Sequence, residues 1–130
     1  MEKNFVMQVI ESRRSIRAYK EEQLSKIETE KILNAGLLAP TAANRQSCLI
    51  IAVQDQELLK QMNEALQKVL AGDPRFGHHA NETNFSFYFG APTVFMLFGD
   101  ASLPGAWAQV DGGITVENMC LAAESLNIGT

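Results

Sequence analysis

The chain has 130 residues, of which 46% are apolar and 20% charged, and a formal net charge of −4. Its apolar content and length exclude a disordered tail and allow a buried core without metals or disulfides. Eleven basic residues against fifteen acidic ones argue against a general nucleic-acid or membrane-surface binder.

In chain order, Phe5, Val6, Val9 and Ile10 recur at three-to-four spacing and predict an amphipathic helix ending near Ser12 or Arg13. Ser25-Lys26-Ile27-Glu28 reads as a capping box opening a helix that carries Ile27, Ile32, Ala35 and Leu38. That helix stops before Pro40, and Gly36 offers an earlier end because glycine tolerates the left-handed conformation. A polar loop spans residues 41–47. Cys48–Val53 then forms a short run, β-branched and apolar on both faces, which predicts a buried central strand. Asp55 is placed to cap a helix with the stripe Leu58, Met62, Leu66 and Val69, ending at Gly72. Residues 73–90 hold Pro, Gly, two His, two Asn and several aromatics without a period, and read as a binding loop or lid. Residues 93–98 form a second buried strand introduced by Pro92. Pro104 occupies the first turn of a last helix carrying Trp107, Val110, Ile114, Met119, Leu121 and Ala122, with Gly129 placed to cap its end.

No repeat, low-complexity tract or linker interrupts residues 1–130, which are expected to form one domain. Two strands rarely make a stable sheet alone. A partner chain or a missing C-terminal part is therefore expected to supply the rest. Cys48 and Cys120 lack C-x-x-C spacing, and no apolar signal segment precedes them, so a reducing, cytoplasmic setting is expected. Neither apolar run approaches the ~20 residues that span a bilayer.

Two segments carry chemistry. Arg13-Arg14-Ser15-Ile16-Arg17 places three of the eleven basic residues within five positions. If the segment is extended, Arg13, Ser15 and Arg17 share a face, and two guanidinium forks with a hydroxyl suit a phosphate. The same residues also fit a solvated charge cluster at a helix C-terminus, where the dipole favours arginine. In Pro40-Thr41-Ala42-Ala43-Asn44-Arg45-Gln46, small residues let the backbone approach a ligand, and Asn44 and Gln46 each present a donor and an acceptor. An ordinary helix-to-strand connection has the same composition. His78-His79 lacks a third ligand at metal-site spacing. Phe85, Phe87, Tyr88 and Phe89 fit a substrate pocket or a core equally well. Cys120 reads as a buried hydrophobe, not a nucleophile. No GxSxG, SxxK, P-loop or GxGxxG pattern occurs.

RRSIRAY at 13–19, followed by ILNAGLLAPTAANRQS at 32–47, resembles the FMN-dependent nitroreductase family. GAPTVFMLFGD at 90–100 and NMCLAAESLNIGT at 118–130 are similar to that family's second strand and central helix. The resemblance implies an α+β fold, with helices packed around a small, mainly antiparallel sheet, and an intertwined homodimer with FMN at the subunit interface. It implies that Arg13 and Ser15, with Arg14 beside them, bind the FMN phosphate and ribityl chain. Arg17 would face the pyrimidine edge of the isoalloxazine, where positive charge stabilises the reduced flavin. Asn44 would bond the same edge with Gln46 close by, while Pro40, Thr41 and Ala42 would reach the neighbouring subunit's flavin. Gly112, Gly113, Ala122 and Ala123 would permit close helix packing, at roughly 1 kcal/mol of helix propensity per glycine.

The activity implied is hydride transfer from NAD(P)H through flavin N5 to a nitroaromatic, quinone or similar small acceptor. No side chain is expected to act as a nucleophile, and neither a metal, nucleic acid nor a membrane is an expected partner. Two departures stand out. Ser47-Cys48 follows the glutamine where relatives often have Pro-aromatic. Family members also continue well past this helix, so a C-terminally incomplete domain is expected. The alternative is a non-catalytic, flavin-free fragment or dimerisation module.

Overall fold

The computed structural model describes residues 4–82, 84–103 and 106–130. Its elements in chain order are α1 (Phe5–Ser12), α2 (Lys26–Leu37), a 3-10 turn (Ala42–Asn44), β1 (Cys48–Val53), α3 (Gln56–Leu70), α4 (Gly77–Ala80), β2 (Val94–Gly99) and α5 (Trp107–Ser125). The two strands pair directly. Asp100 N–H donates to Ser47 O at 2.9 Å, joining the end of β2 to the start of β1, as an antiparallel register requires. Helices and a small antiparallel sheet give the expected α+β architecture. Packing divides the chain into two compact units. One holds α1, α2, α5 and most of both strands; the other holds Arg17–Gln23, α3, α4 and the segment up to Val94.

The core of the first unit is Ile32, Met119 and Ala123, with Leu24, Ile50, Phe95, Leu97, Leu126 and Ile128 around them. Gly36 lies inside α2 and does not end it, contrary to expectation. A Cβ at Gly36 would stand 2.8 Å from Ile50 Cδ1 and 2.9 Å from Met119 Cγ. The missing side chain is therefore what lets α2 close on α5, and Asn118 Nδ2 pins the approach by donating to Ala35 O at 3.1 Å.

The buried face of α2 is Thr29, Ile32 and Gly36, whereas Ile27 and Leu38 point outward, Leu38 with 81% exposure. The stripe was misread because glycine and threonine do not register as apolar. On α5 the inward residues are Asp111, Thr115, Met119 and Ala123, at four-residue spacing; Trp107, Val110 and Ile114 are exposed. That helix is apolar on several sides, so periodicity alone could not choose a face. Among the described residues, no atom outside the helix's own nearby backbone lies within 4 Å of a Cβ built on Gly112 or Gly113, so none of them packs closely on these glycines. The expected role of Pro104 falls outside the described residues.

The end of α5 is a Schellman motif. Ile128 N–H donates to Ala123 O and Asn127 N–H to Glu124 O, both at 2.9 Å, with Asn127 left-handed at φ 59°. Asn127 thus fills the capping role expected of Gly129. Strand β1 is buried on one face only. Ile50 packs into the core, while Leu49 is 59% exposed and Ile51 also faces out. A sheet of two strands covers less of itself than the apolar run suggested.

In the second unit, Asp55 Oδ1 accepts from Leu58 N–H at 2.8 Å and caps α3 as expected. The residue α3 buries is Leu59, while Leu58 and Val69 face outward. The segment before β2 contains α4 and is tied to α3. Asn63 Nδ2 and Gln67 Nε2 both donate to Phe85 O, at 2.9 and 3.1 Å, and Asn63 Oδ1 accepts from Phe87 N–H at 2.9 Å. The Phe85 ring stacks on His79 at 4.7 Å and meets the edge of Phe87 at 5.1 Å.

Two predictions follow from this packing. Ile32→Ala will lower stability by about 2–5 kcal/mol in urea unfolding, from lost burial and the cavity left behind. The capping box at α2 is complete. Ser25 N–H donates to Glu28 Oε2 at 2.8 Å, the Ser25 hydroxyl donates to the same oxygen at 2.6 Å, and Glu28 N–H donates to Ser25 Oγ at 3.3 Å. The Ser25 hydroxyl, then its backbone N–H, hold the Glu28 carboxyl below its ordinary range. A depressed carboxylate contributes stability that is full above its unfolded pKa and lost as pH falls through the folded one. An NMR titration will show Glu28 protonating at lower pH than the exposed carboxylates, and Ser25→Ala will return it to the ordinary range.

Candidate functional site

The arginine segment begins where α1 ends. Arg13 caps that helix with φ −53° and ψ 132°, so the chain leaves in extended conformation. Ile16 N–H then donates to Thr130 O at 2.8 Å. Gly129 admits the Ile16 side chain, whose Cγ1 lies 2.7 Å from where a Cβ would stand. The segment is therefore held against the residues that follow α5. Arg14 turns back to close α1, donating from Nη1 to Glu11 O and Arg13 O, both at 2.7 Å. For Arg14 this geometry is that of a helix C-terminus. Arg13 Nε lies 3.6 Å from Glu117 Oε1 on α5, and Ser15 is exposed. In the other unit, the Arg17 guanidinium sits 5.0 Å from the Phe89 ring centroid. Phe89 and Gly90 both have positive φ, 54° and 73°.

The second segment is a strained turn. From Thr41 in extended conformation, Asn44 N–H donates to Thr41 O at 2.9 Å and Gln46 N–H to Thr41 Oγ1 at 3.0 Å. Ala43, Asn44 and Gln46 have φ of 52°, 53° and 50°. Such conformations cost of order 1–3 kcal/mol each in non-glycine residues and persist only where surroundings impose them. Asparagine relieves part of that cost by local hydrogen bonding, whereas Ala43 has no polar side chain to do so. The result is a compact loop that exposes Asn44, Arg45 and Gln46, with Pro40 exposed and Thr41 and Ala42 half-buried beside them.

A residue that sequence reasoning missed is bonded to both ends of the turn. Asp111 of α5 is 3% exposed. It accepts from Ala42 N–H at 3.0 Å and from the buried Ser47 hydroxyl at 2.9 Å. Glu117, also missed, contacts Arg13 from the same helix, six residues and therefore about 9 Å of axis further on. The two candidate segments of the first unit are thus both tied to α5. The available signal was an acid among the apolar residues of the first turns of α5, directly before Gly112-Gly113. Among the described residues, no three His, Cys, Asp or Glu gather where a metal could bind, and no helix is long and apolar enough to cross a membrane.

The elements and their pairing define an α+β chain, and comparison with known proteins gives its family. The model of the nitroreductase family matches residues 10–130, and the chain belongs to that family. A protein of Archaeoglobus fulgidus with the working name NADH dehydrogenase/NAD(P)H nitroreductase is 35% identical over 128 residues, covering 95% of this chain and 64% of that one. The FMN reductase [NAD(P)H] of Bacillus subtilis is 29% identical over 98% of this chain and 53% of its own length. The crystal structure of a Bacteroides fragilis nitroreductase with bound FMN superposes with a TM-score of 0.91, at 30% identity, over 98% of this chain and 68% of that one. The chain thus spans between about half and two thirds of the relatives it matches.

The Arg13–Glu117 pair is part-exposed on both sides, and such pairs contribute little to stability. Glu117→Gln will therefore shift the urea midpoint by an amount worth less than about 0.5 kcal/mol.

Proposed function

We propose that this chain is the flavin-holding part of an NAD(P)H-dependent FMN oxidoreductase that passes hydride to a nitroaromatic, quinone or similar small acceptor. The observation that carries this reading is the strained, clasped turn at 41–47, which presents two carboxamides on a loop with almost no side-chain bulk at Ala42 and Ala43. Membership of the nitroreductase family and the flavin named in the B. fragilis structure support it.

The residues present fit FMN by their chemistry. A guanidinium and a hydroxyl at Arg13 and Ser15 suit a phosphate. Arg14, bonded to backbone carbonyls, adds positive charge beside them. Asn44 and Gln46 match the alternating donors and acceptors of a heterocycle edge. When bound, FMN supplies the reversible acceptance of hydride. Arg17 opposes negative charge at the ring edge, and the Phe89 ring keeps its guanidinium oriented by cation–π attraction. Pro40, Thr41 and Ala42 would reach the flavin held by the neighbouring subunit. No side chain is required as a nucleophile, because the hard chemistry belongs to the cofactor.

The partner is a second copy of the chain. Trp107, Val110 and Ile114 on α5, with Phe5, Val6 and Ile10 on α1, leave large apolar side chains exposed, and Gly112 and Gly113 leave open backbone between. Such a patch suits an interface, and a cytoplasmic setting suits the free Cys48 and Cys120.

The test is the visible absorption spectrum of the purified chain after FMN is added and unbound flavin removed by gel filtration. Flavin bands co-eluting with a dimer are expected. Arg13→Ala and Arg17→Ala will each weaken FMN retention about tenfold, the scale of a lost charge-assisted contact. A colourless, monomeric eluate overturns the reading.

A further inference from the structure

Asp111 is the only buried carboxylate among the described residues. An ionised carboxylate has no donor of its own, so burying one requires partners that donate to it. Both of its oxygens find one: Oδ1 accepts from Ala42 N–H at 3.0 Å and Oδ2 from the Ser47 hydroxyl at 2.9 Å. These partners are not scattered. Ala42 opens the turn and Ser47 closes it at the threshold of β1, so one carboxylate on a rigid helix clasps both ends of the loop. Between them lie the three left-handed residues Ala43, Asn44 and Gln46. The Gln46 N–H to Thr41 Oγ1 bond ties the loop internally, whereas Asp111 ties both its ends to α5.

We propose that Asp111 is a positioning residue: it holds the 41–47 turn in its strained form from beneath, so that Asn44 and Gln46 are pre-set for the ligand. It thereby governs FMN affinity without touching FMN. The proposal rests on the flavin reading of this loop. Loss of the carboxylate takes this acceptor from the buried Ser47 hydroxyl and the part-buried Ala42 N–H, and lets the three residues relax to negative φ. Asparagine is the conservative replacement, since its carbonyl can accept from Ala42 N–H while its amide donates to the Ser47 hydroxyl oxygen.

The experiment uses two readouts on the full chain: hydrogen exchange at the 42–47 amides without flavin, and the Kd of FMN by fluorescence quenching. Asp111→Ala will speed exchange at those amides by about tenfold and weaken FMN about tenfold, the scale of an unsatisfied buried hydrogen bond. Asp111→Asn will recover most of both. In an Asn44→Ala background, Asp111→Ala will weaken FMN by less than about twofold, because a residue acting through Asn44 has little left to lose. Thr115→Val perturbs the same buried face of α5 one turn on and will leave both readouts at wild type. The proposal falls if Asp111→Ala leaves loop exchange unchanged, if its effect is additive with Asn44→Ala, or if Thr115→Val reproduces it. Should the wild-type chain take up no FMN, the flavin reading fails and the proposal with it, while the exchange measurement still decides whether Asp111 clasps the loop.

Discussion

The approach of α2 to α5 at Gly36 is the constraint from which the first unit is built. Without a Cβ there, Ile50 of β1 and Met119 of α5 fill the same small volume from two directions, so strand and helix are located against α2 at one point. Ile32 and Ala123 extend that contact along the seam. Each large apolar side chain removed from water there contributes about 1.5–3 kcal/mol. The seam also fixes where α2 ends, and hence where residues 38–47 start across the end of α5.

That placement explains how a loop with three left-handed non-glycine residues can exist. A turn of this kind would relax in isolation. Here its two ends are bonded to a buried carboxylate on a helix whose register is already set by packing one and two turns further along, at Thr115 and Met119. The same helix reaches Arg13 through Glu117. Hydrophobic burial thus supplies a rigid bar, and two polar attachments on that bar carry the segments richest in donors. The arrangement separates stability from ligand chemistry. The core residues Ile32, Met119 and Ala123 are not among the proposed ligand-binding groups, of which Ser15, Asn44 and Gln46 are exposed.

The faces left open are as informative as those that are filled. Leu49 and Ile51 on β1, and Trp107, Val110 and Ile114 on α5, expose apolar area that none of the described residues covers. In the second unit, Asn63 and Gln67 hold the aromatic segment by its backbone. Its rings are left to stack among themselves and, at Phe89, against Arg17. Both features are economical as preparation for contacts beyond the chain, and costly as the final surface of a monomer.

Much of the local structure was legible in the residues alone. Ser25 with Glu28 and Asp55 before Leu58 marked helix starts, because capping needs one particular side chain within three residues of a free N–H. The strands appeared as short β-branched runs. The paired motifs around Arg13 and Asn44 were enough to suggest the family and its α+β fold. What local pattern could not reveal was which face of each helix turns inward. The buried stripes contain Gly36, Thr29, Asp111 and Thr115, residues that no apolar count selects, and the burial of Gly36 and Asp111 depends on partners in other elements. For the same reason Asp111 escaped notice: a carboxylate becomes a clasp only when folding brings Ala42 and Ser47 to it. Sequence determined the longer helices, both strands, the N-terminal caps at Ser25 and Asp55 and the donors available for binding; tertiary packing decided which of those donors are held in place and by what, because long-range contact is needed to keep a strained turn from relaxing.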